Sequence, residues 1–573
     1  MRASFRLRIY TIGAAVLLFA ILLVLRLYFV QIVHGEEYAG LADRQYVRSN
    51  TNLYDRGTLF FTDKNGILVA GARLKSGFIV ALNPEMLEED PSVVYEKLSA
   101  ELPLERERFL AQASKKDDPY EEIAKQVSTT TGEYIEKLNL EGIQLYKEQW
   151  RYYPGTTLAA HTLGFVGYKG DDYAGRYGLE RYYDDVLSRA DNNLYVNFFA
   201  ELFANLKSFA AGGEQTGDVV TSLEPSVQLF LEEKLKEVHD EWGSRQTAGI
   251  IINPQDGSIY AMGVYPSFDL NNYGDVEDVT VFSNPLVESV YEMGSIIKPI
   301  TMGAALDSGA VTAQTTYEDT GKLTLDGYTI SNFDGKGRGV VDMQEVLSQS
   351  LNTGVAFAVR KMGKDVYREY MEKFRIGQET GIDLPAESSG LIGYMEDGKP
   401  SPRDIEYATA SFGQGIALTP INTVQALSVL ANGGKLVTPH VGRELRFKNG
   451  LSREISFPGD GEQIIRPESA NELTRMLVNV VDDALVEGKY KREHYSVAAK
   501  TGTAQIADPS GGYYDDRYLH SFFGYFPAYD AKYLIFLYTV EPKGVRYASQ
   551  TLTKPFDDIV SFLINYYEVP PDR

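Results

Sequence analysis

The chain has 573 residues, too many for one ordinary hydrophobic core, so at least two folded units are expected. With 44% hydrophobic residues, 24% charged residues and 39 tyrosines it reads as globular, and a formal charge of −23 leaves little attraction for a nucleic acid backbone. Zero cysteines exclude disulfides and thiolate chemistry, and six histidines without a His-x-x-x-His pair argue against a metal site, so no metal or other cofactor is expected.

Arg2, Arg6 and Arg8 precede an uncharged apolar run from Ile9 to Leu25, which continues past Arg26 to Val33. The first run alone would rise only about 25 Å as a helix, short of the roughly 30 Å hydrocarbon layer. The span therefore needs the second segment, with Arg26 snorkelling to the far interface. The positive-inside rule then predicts a cytoplasmic tail over 1–8, a transmembrane helix over 9–33 and the rest of the chain outside a cell membrane. A cleavable signal peptide is the rival reading, but its apolar core normally runs about 7–15 residues before a small-x-small site, and none follows Val33.

Beyond the anchor, Arg56 to Ala70 reads as two strands around the Lys64-Asn65-Gly66 turn. Residues from about Pro91 to Leu145 carry Glu, Lys and Leu at helical spacing. Arg151-Tyr152-Tyr153-Pro154 is expected to open a strand-and-loop region, and the small residues Ala210 to Gly213 a flexible join. A boundary is placed there, dividing a unit over 34–215 from one over 216–573.

The second unit starts with a strand near Asp218 to Leu223 and an amphipathic helix through Gln228, Leu231 and Leu235. Ala248 to Pro254 and Gly257 to Met262 form a hairpin around Asp256-Gly257. A helical middle follows, and strands return only near the end, at Ser521 to Phe526 and Tyr533 to Val540. Early and late strands enclosing helices predict one antiparallel sheet with helices against it, an α+β fold.

Three separated strings carry chemistry. In Gly294-Ser295-Ile296-Ile297-Lys298-Pro299, a helix starting near Gly294 or Ser295 tolerates the proline, and Ser295 and Lys298 share a face at i and i+3. Ser295 can serve as nucleophile if Lys298 takes its proton, which requires a neutral amine. Burial and a second cation would both lower its pKa, and Lys500 is the natural second cation. Ser350-Leu351-Asn352 lies between helical stretches, where a loop could present Ser350 and Asn352. The other Ser-x-Asn, Ser469-Ala470-Asn471, is followed by Glu472 and is expected to be a helix-capping box. Lys500-Thr501-Gly502-Thr503 reads as a strand in which Lys500 positions a substrate carboxylate, Gly502 lets a peptide ligand approach and the Thr503 amide faces the reacting carbonyl.

With these strings the chain resembles a class B, monofunctional penicillin-binding protein over nearly its whole length. Arg56-Gly57, Asp63-x-Asn65-Gly66, Arg151-x-Tyr153-Pro154, Ala160-His161-x-Leu163-Gly164 and Gly178-Leu179-Glu180 look like that family's non-catalytic, dimerisation-type pedestal. Asn253-Pro254-x-x-Gly257, Ser411-Phe412-Gly413-Gln414-Gly415 with Thr419-Pro420, and Phe523-Gly524-Tyr525-Phe526-Pro527 look like its transpeptidase domain, a serine β-lactamase-like fold. The resemblance implies a peptidoglycan D,D-transpeptidase that forms an acyl-serine with release of terminal D-alanine and is acylated by β-lactams. It implies Ser295 as nucleophile, Lys298 as base, Ser350 as proton relay, Asn352 on the donor amide, Lys500 with Thr501 on the donor carboxylate, and the amides of Ser295 and Thr503 as oxyanion hole. A SEDS-family membrane polymerase is the implied partner. Asp404-Ile405-Glu406 looks like the division branch and Arg181-Tyr182-Tyr183 like the elongation branch, so both roles stand. A catalytically silent scaffold and a β-lactam sensor or hydrolase are the competing classes; the intact strings weigh against the first and the long pedestal against the second.

Overall fold

The computed structural model describes Phe19 and residues 55–115, 118–169, 172–188, 216–393, 403–457 and 461–573. The expected transmembrane helix and the boundary near 215 lie outside the described residues, Phe19 apart. Among the described residues no helix is long and apolar enough to cross a membrane.

In chain order the principal elements begin with β1 (Leu59–Thr62) and β2 (Leu68–Leu82), then α1 (Pro91–Ser99), α2 (Arg106–Ala113), β3 (Glu121–Ser128), α3 (Thr129–Lys137) and β4 (Ile143–Tyr152). They continue with β5 (Gly217–Thr221), α4 (Pro225–Trp242), β6 (Gln246–Ile252), β7 (Ile259–Tyr265), α5 (Lys298–Asp307), α6 (Asn352–Met362), α7 (Pro420–Ala431), β8 (Gly442–Phe447) and α8 (Pro467–Asn479). The chain closes with β9 (Ala498–Ala507), β10 (Tyr513–Phe526), β11 (Tyr533–Val540) and α9 (Thr553–Tyr567). The β1–β2 turn forms as expected: Gly66 takes φ +80°, and Asp63 Oδ1 accepts from the amides of Asn65 and Ile67.

Two compact units emerge. The smaller contains Leu74–Arg151, where the second half of β2 pairs with β3 from Gly77↔Ser128 to Leu82↔Glu121 and packs Val80, Leu82, Leu98, Phe109 and Ile135 into one core. This segment corrects the all-helical expectation for 91–145. Glu121–Ser128 has helix-compatible residues, but the free edge of β2 offers a hydrogen-bond ladder that outweighs that weak preference. Arg151-Tyr152 ends β4 rather than opening a strand.

The larger unit comprises Arg56–Arg73 and Tyr152–Arg573. Its main sheet has the order β9-β10-β11-β6-β7, with all neighbours antiparallel, which joins early and late strands as the α+β reading requires. One face, through Ile251, Ala499, Phe522, Ile535 and Leu537, packs on α4 and α9. The other, through Ile250, Met262, Phe523 and Phe536, joins the core around α5 and α7. Burying one such Leu, Ile or Phe stabilises the fold by about 1.5–3 kcal/mol, so both faces must be covered. The middle of the chain also contains short antiparallel strand pairs, Thr316–Asp319 with Gly339–Asp342 and, between them in sequence, Lys322–Leu325 with Tyr328–Ser331, that helical periodicity does not announce. β9 stands at the edge of the sheet, and the Gly294 turn lies against it.

Candidate active site

Gly294–Ile297 forms a tight 3-10 turn that runs directly into α5, with Pro299 in the first turn of the helix, where its missing N–H costs nothing. The regular helix thus starts at Lys298, and Ser295 sits in the turn before it. Two glycines make the turn possible. Gly294 takes φ +63° and donates its amide to Gly413 O at 3.1 Å; a Cβ on Gly413 would lie 2.4 Å from Gly294 O.

Lys298 is completely buried, because α5 is the central helix of the core. Burial first, and the charge of Lys500 second, push its pKa well below the usual lysine value. Its Nζ donates to Ser350 O at 2.6 Å and to Ser350 Oγ at 3.1 Å. A neutral amine has two N–H bonds, which these acceptors use, and keeps its lone pair for a third direction.

Ser350 occupies the turn between helix Met343–Ser348 and α6 with φ +55°, a left-handed conformation that costs a serine on the order of 1–2 kcal/mol. Leu351 is buried in the core, so the apolar residue of this string anchors the turn. Asn352 opens α6, and its Nδ2 donates to Ser331 O at 2.8 Å. Beside it, Thr353 Oγ1 donates to buried Asp319 at 2.8 Å, and Asp319 also accepts from the amides of Gly321 and Arg338 and from Asn332 Nδ2.

On β9, Lys500 is buried and its pKa is pushed down to about 8 by burial; it remains mostly protonated at neutral pH, and its Nζ donates to Thr501 O at 3.0 Å. Gly502 corrects its expected role. A Cβ there would meet Ser521 Oγ at 2.3 Å and Met293 O at 2.8 Å, so the glycine is required by the protein's own packing of β9, β10 and the nucleophile turn. Thr503 Oγ1 accepts from the Ala548 amide at 3.1 Å.

Ser295, Ser350, Asn352, Lys500, Thr501 and Thr503 line one open cleft of about 670 Å³, with Lys298 buried next to Ser350. All the expected site residues are thereby placed at one location, with Gly502 packed against the nucleophile turn rather than lining the cleft. Ser469 is not a helix cap: α8 begins at Pro467 with Arg466 in the cap position, so Ser469 lies buried within its first turn. Sequence reading passed over three features. Glu292 accepts from the Gly415 amide at 3.0 Å and from the Tyr513 hydroxyl at 3.1 Å, tying the nucleophile turn to two neighbouring segments. Asp319 supports the Asn352 turn, and the Phe333, Arg546 and Tyr547 side chains line the cleft. None of these carries a local sequence signal.

A family model described as the penicillin binding protein transpeptidase domain matches residues 247–561, and one described as the penicillin-binding protein dimerisation domain matches residues 54–197. Stage V sporulation protein D of Bacillus subtilis is 30% identical over 553 residues, covering 94% of this chain and 83% of the relative. Peptidoglycan D,D-transpeptidase MrdA of Acinetobacter baumannii is 27% identical, covering 89% of this chain and 79% of its own. Among solved structures, penicillin binding protein 2X of Streptococcus thermophilus superposes with a TM-score of 0.71 at 20% identity, over 91% of this chain and 81% of that one. Penicillin binding protein 3 of Mycobacterium tuberculosis, complexed with aztreonam, gives 0.68 at 21% identity, over 91% and 98%.

Proposed function

This chain belongs to the penicillin-binding protein transpeptidase family, and on that premise we propose how its cleft carries out the reaction. The protein is a serine-type D,D-transpeptidase that cross-links peptidoglycan stem peptides in cell-wall synthesis and is acylated by β-lactams. Ser295 Oγ attacks the carbonyl of the penultimate residue of the donor peptide while its proton passes to the lone pair of Lys298. Negative charge gathers on the carbonyl oxygen, held by the amides of Ser295 and Thr503, each contributing roughly 3–4 kcal/mol by comparison with other acyl-transfer enzymes. The C–N bond then breaks, and the leaving D-alanine amine takes a proton from Lys298 by way of the Ser350 hydroxyl. Lys500 and Thr501 hold the terminal carboxylate, and Asn352 holds the donor amide. A second stem's amine attacks the acyl-serine, gives up a proton along the same relay, and restores the Ser295 hydroxyl.

The observation that carries this reading is the fully buried Lys298 amine, held on Ser350 and depressed in pKa, three residues from a serine exposed to the cleft. The test is cross-linking of a polymerised glycan substrate with release of D-alanine. Wild-type protein should produce both, and Ser295→Ala neither; activity surviving in Ser295→Ala removes the assignment.

We further propose a single-pass membrane anchor over 9–33 with residues 1–8 cytoplasmic, supported by the Arg2, Arg6 and Arg8 flank and the apolar run. Association with a SEDS-family membrane polymerase is supported by family resemblance, and co-purification through residues 1–215 tests it.

A further inference from the structure

The chain carries a net charge of −23, yet no Asp or Glu is among the described residues that line the cleft, and two cations, Lys500 and Arg546, are. Lys500 is absorbed by the reaction. Arg546 is exposed, its guanidinium lies over the Tyr547 ring at 5.5 Å, and among the described residues no carboxylate is paired with it. We infer that Arg546 forms a second anion subsite, which takes a carboxylate on the acyl side of the donor peptide.

The segment carrying Arg546 is fixed to β9 rather than left as a loose loop. His520 lies opposite Thr503 in the sheet. Its ring is buried, with a pKa lowered to about 4, so it is neutral. Because a carbonyl can only accept, Nε2 donates to Arg546 O at 3.0 Å, which leaves Nδ1 to accept from the Thr551 hydroxyl at 2.9 Å. The Ala548 amide bonds to Thr503 Oγ1 at 3.1 Å. Residues 546–548 are therefore pinned at the Thr503 end of the motif strand, roughly 10 Å along it from Lys500. Tyr547 meets the edge of Phe333 with ring centroids 5.9 Å apart, setting an apolar surface beside the guanidinium.

This inference rests on the proposed reading, in which Lys500 holds the terminal carboxylate and the Thr503 amide faces the reacting carbonyl. The acyl side of the donor then continues past Thr503 toward Arg546. A planar guanidinium matches a carboxylate in two parallel hydrogen bonds, and the aromatic pair suits the methylenes that carry it. The substrate class is a stem peptide with a second, non-terminal carboxylate, in preference to its amidated form.

Benzylpenicillin and its α-carboxy derivative, carbenicillin, differ by one carboxylate on the acyl side. Second-order acylation rates of the full-length protein in detergent give a carbenicillin-to-benzylpenicillin ratio for wild type, Arg546→Gln and Arg546→Lys. The ratio is expected to fall roughly fivefold in Arg546→Gln, the upper end for an exposed ion pair, and to return in part in Arg546→Lys. An equal ratio in wild type and Arg546→Gln overturns the subsite. Failure of both drugs to label Ser295 in wild type overturns the catalytic reading itself, and the subsite with it.

Discussion

Lys298 Nζ reaches both the carbonyl oxygen of Ser350, at 2.6 Å, and its hydroxyl, at 3.1 Å, and the left-handed backbone of Ser350 presents the two together. One residue thus supplies the acceptors that orient the general base and the hydroxyl that relays its proton.

Glycine adopts that backbone without strain, whereas alanine does not. Ser350→Gly should therefore be more stable than Ser350→Ala by about 1 kcal/mol, while both lose the relay and acylate slowly. Thermal melts beside stopped-flow acylation separate the two effects; an alanine variant as stable as the glycine one contradicts the strain argument.

Lys500 titrates at about 8 in the fold, against 10.5 when exposed. Between those values the unfolded chain binds a proton that the folded chain does not, so unfolding free energy rises with pH across that window. At pH 7 the burial costs the fold roughly 3 kcal/mol. Lys500→Met is expected to raise the melting temperature at pH 7 while weakening acylation, and wild-type acylation is expected to decline above about pH 8 as the carboxylate-binding charge is lost. A Met variant that melts lower at pH 7 counts against this view.

At Gly502 a methyl group has no room between Ser521 Oγ and Met293 O. Gly502→Ala should destabilise the larger unit by about 1–3 kcal/mol and shift β9 away from the nucleophile turn, lowering acylation. Adding Ser521→Ala relieves one contact but leaves the Met293 carbonyl, so rescue should be partial. Full rescue by the double variant would mean that the carbonyl contact is immaterial.

Asp319 gathers donors from Gly321, Arg338, Asn332 and Thr353 in a buried site next to Asn352. Asp319→Ala leaves the Gly321 amide unpaired at about 1–3 kcal/mol, while Arg338 N, Asn332 Nδ2 and Thr353 Oγ1 keep only their second acceptors, Asp319 O, Lys336 O and Asn332 Oδ1. Amide exchange over 316–342 should accelerate, and acylation should slow by roughly tenfold, the equivalent of ~1.4 kcal/mol. Unchanged exchange in this segment would refute the supporting role.

Local signals were strong where spacing alone decides structure. The Asp63 to Gly66 turn, the Asp256-Gly257 hairpin and the buried stripe of Gln228, Leu231 and Leu235 are all readable from neighbouring residues. The site strings were legible because Ser295, Ser350 and Lys500 are each embedded in short patterns, and their meeting in one cleft follows from the edge position of β9. What sequence could not reveal depends on partners far along the chain. Glu121–Ser128 is a strand only because β2 is beside it, and Gly502 is needed only because Met293 and Ser521 converge there. Asp319 and Thr353, and Arg546 and His520, likewise become linked only through tertiary packing.

The central claim is that Ser295 is acylated because Lys298 is a neutral base beside it. Peptide mapping by mass spectrometry after penicillin treatment tests it most directly, in wild type, Lys298→Ala and Lys500→Ala. The expected result is a single penicilloyl adduct on Ser295 in wild type, a slower one in Lys500→Ala and none in Lys298→Ala. An adduct on another residue, or wild-type labelling rates in Lys298→Ala, would contradict the account.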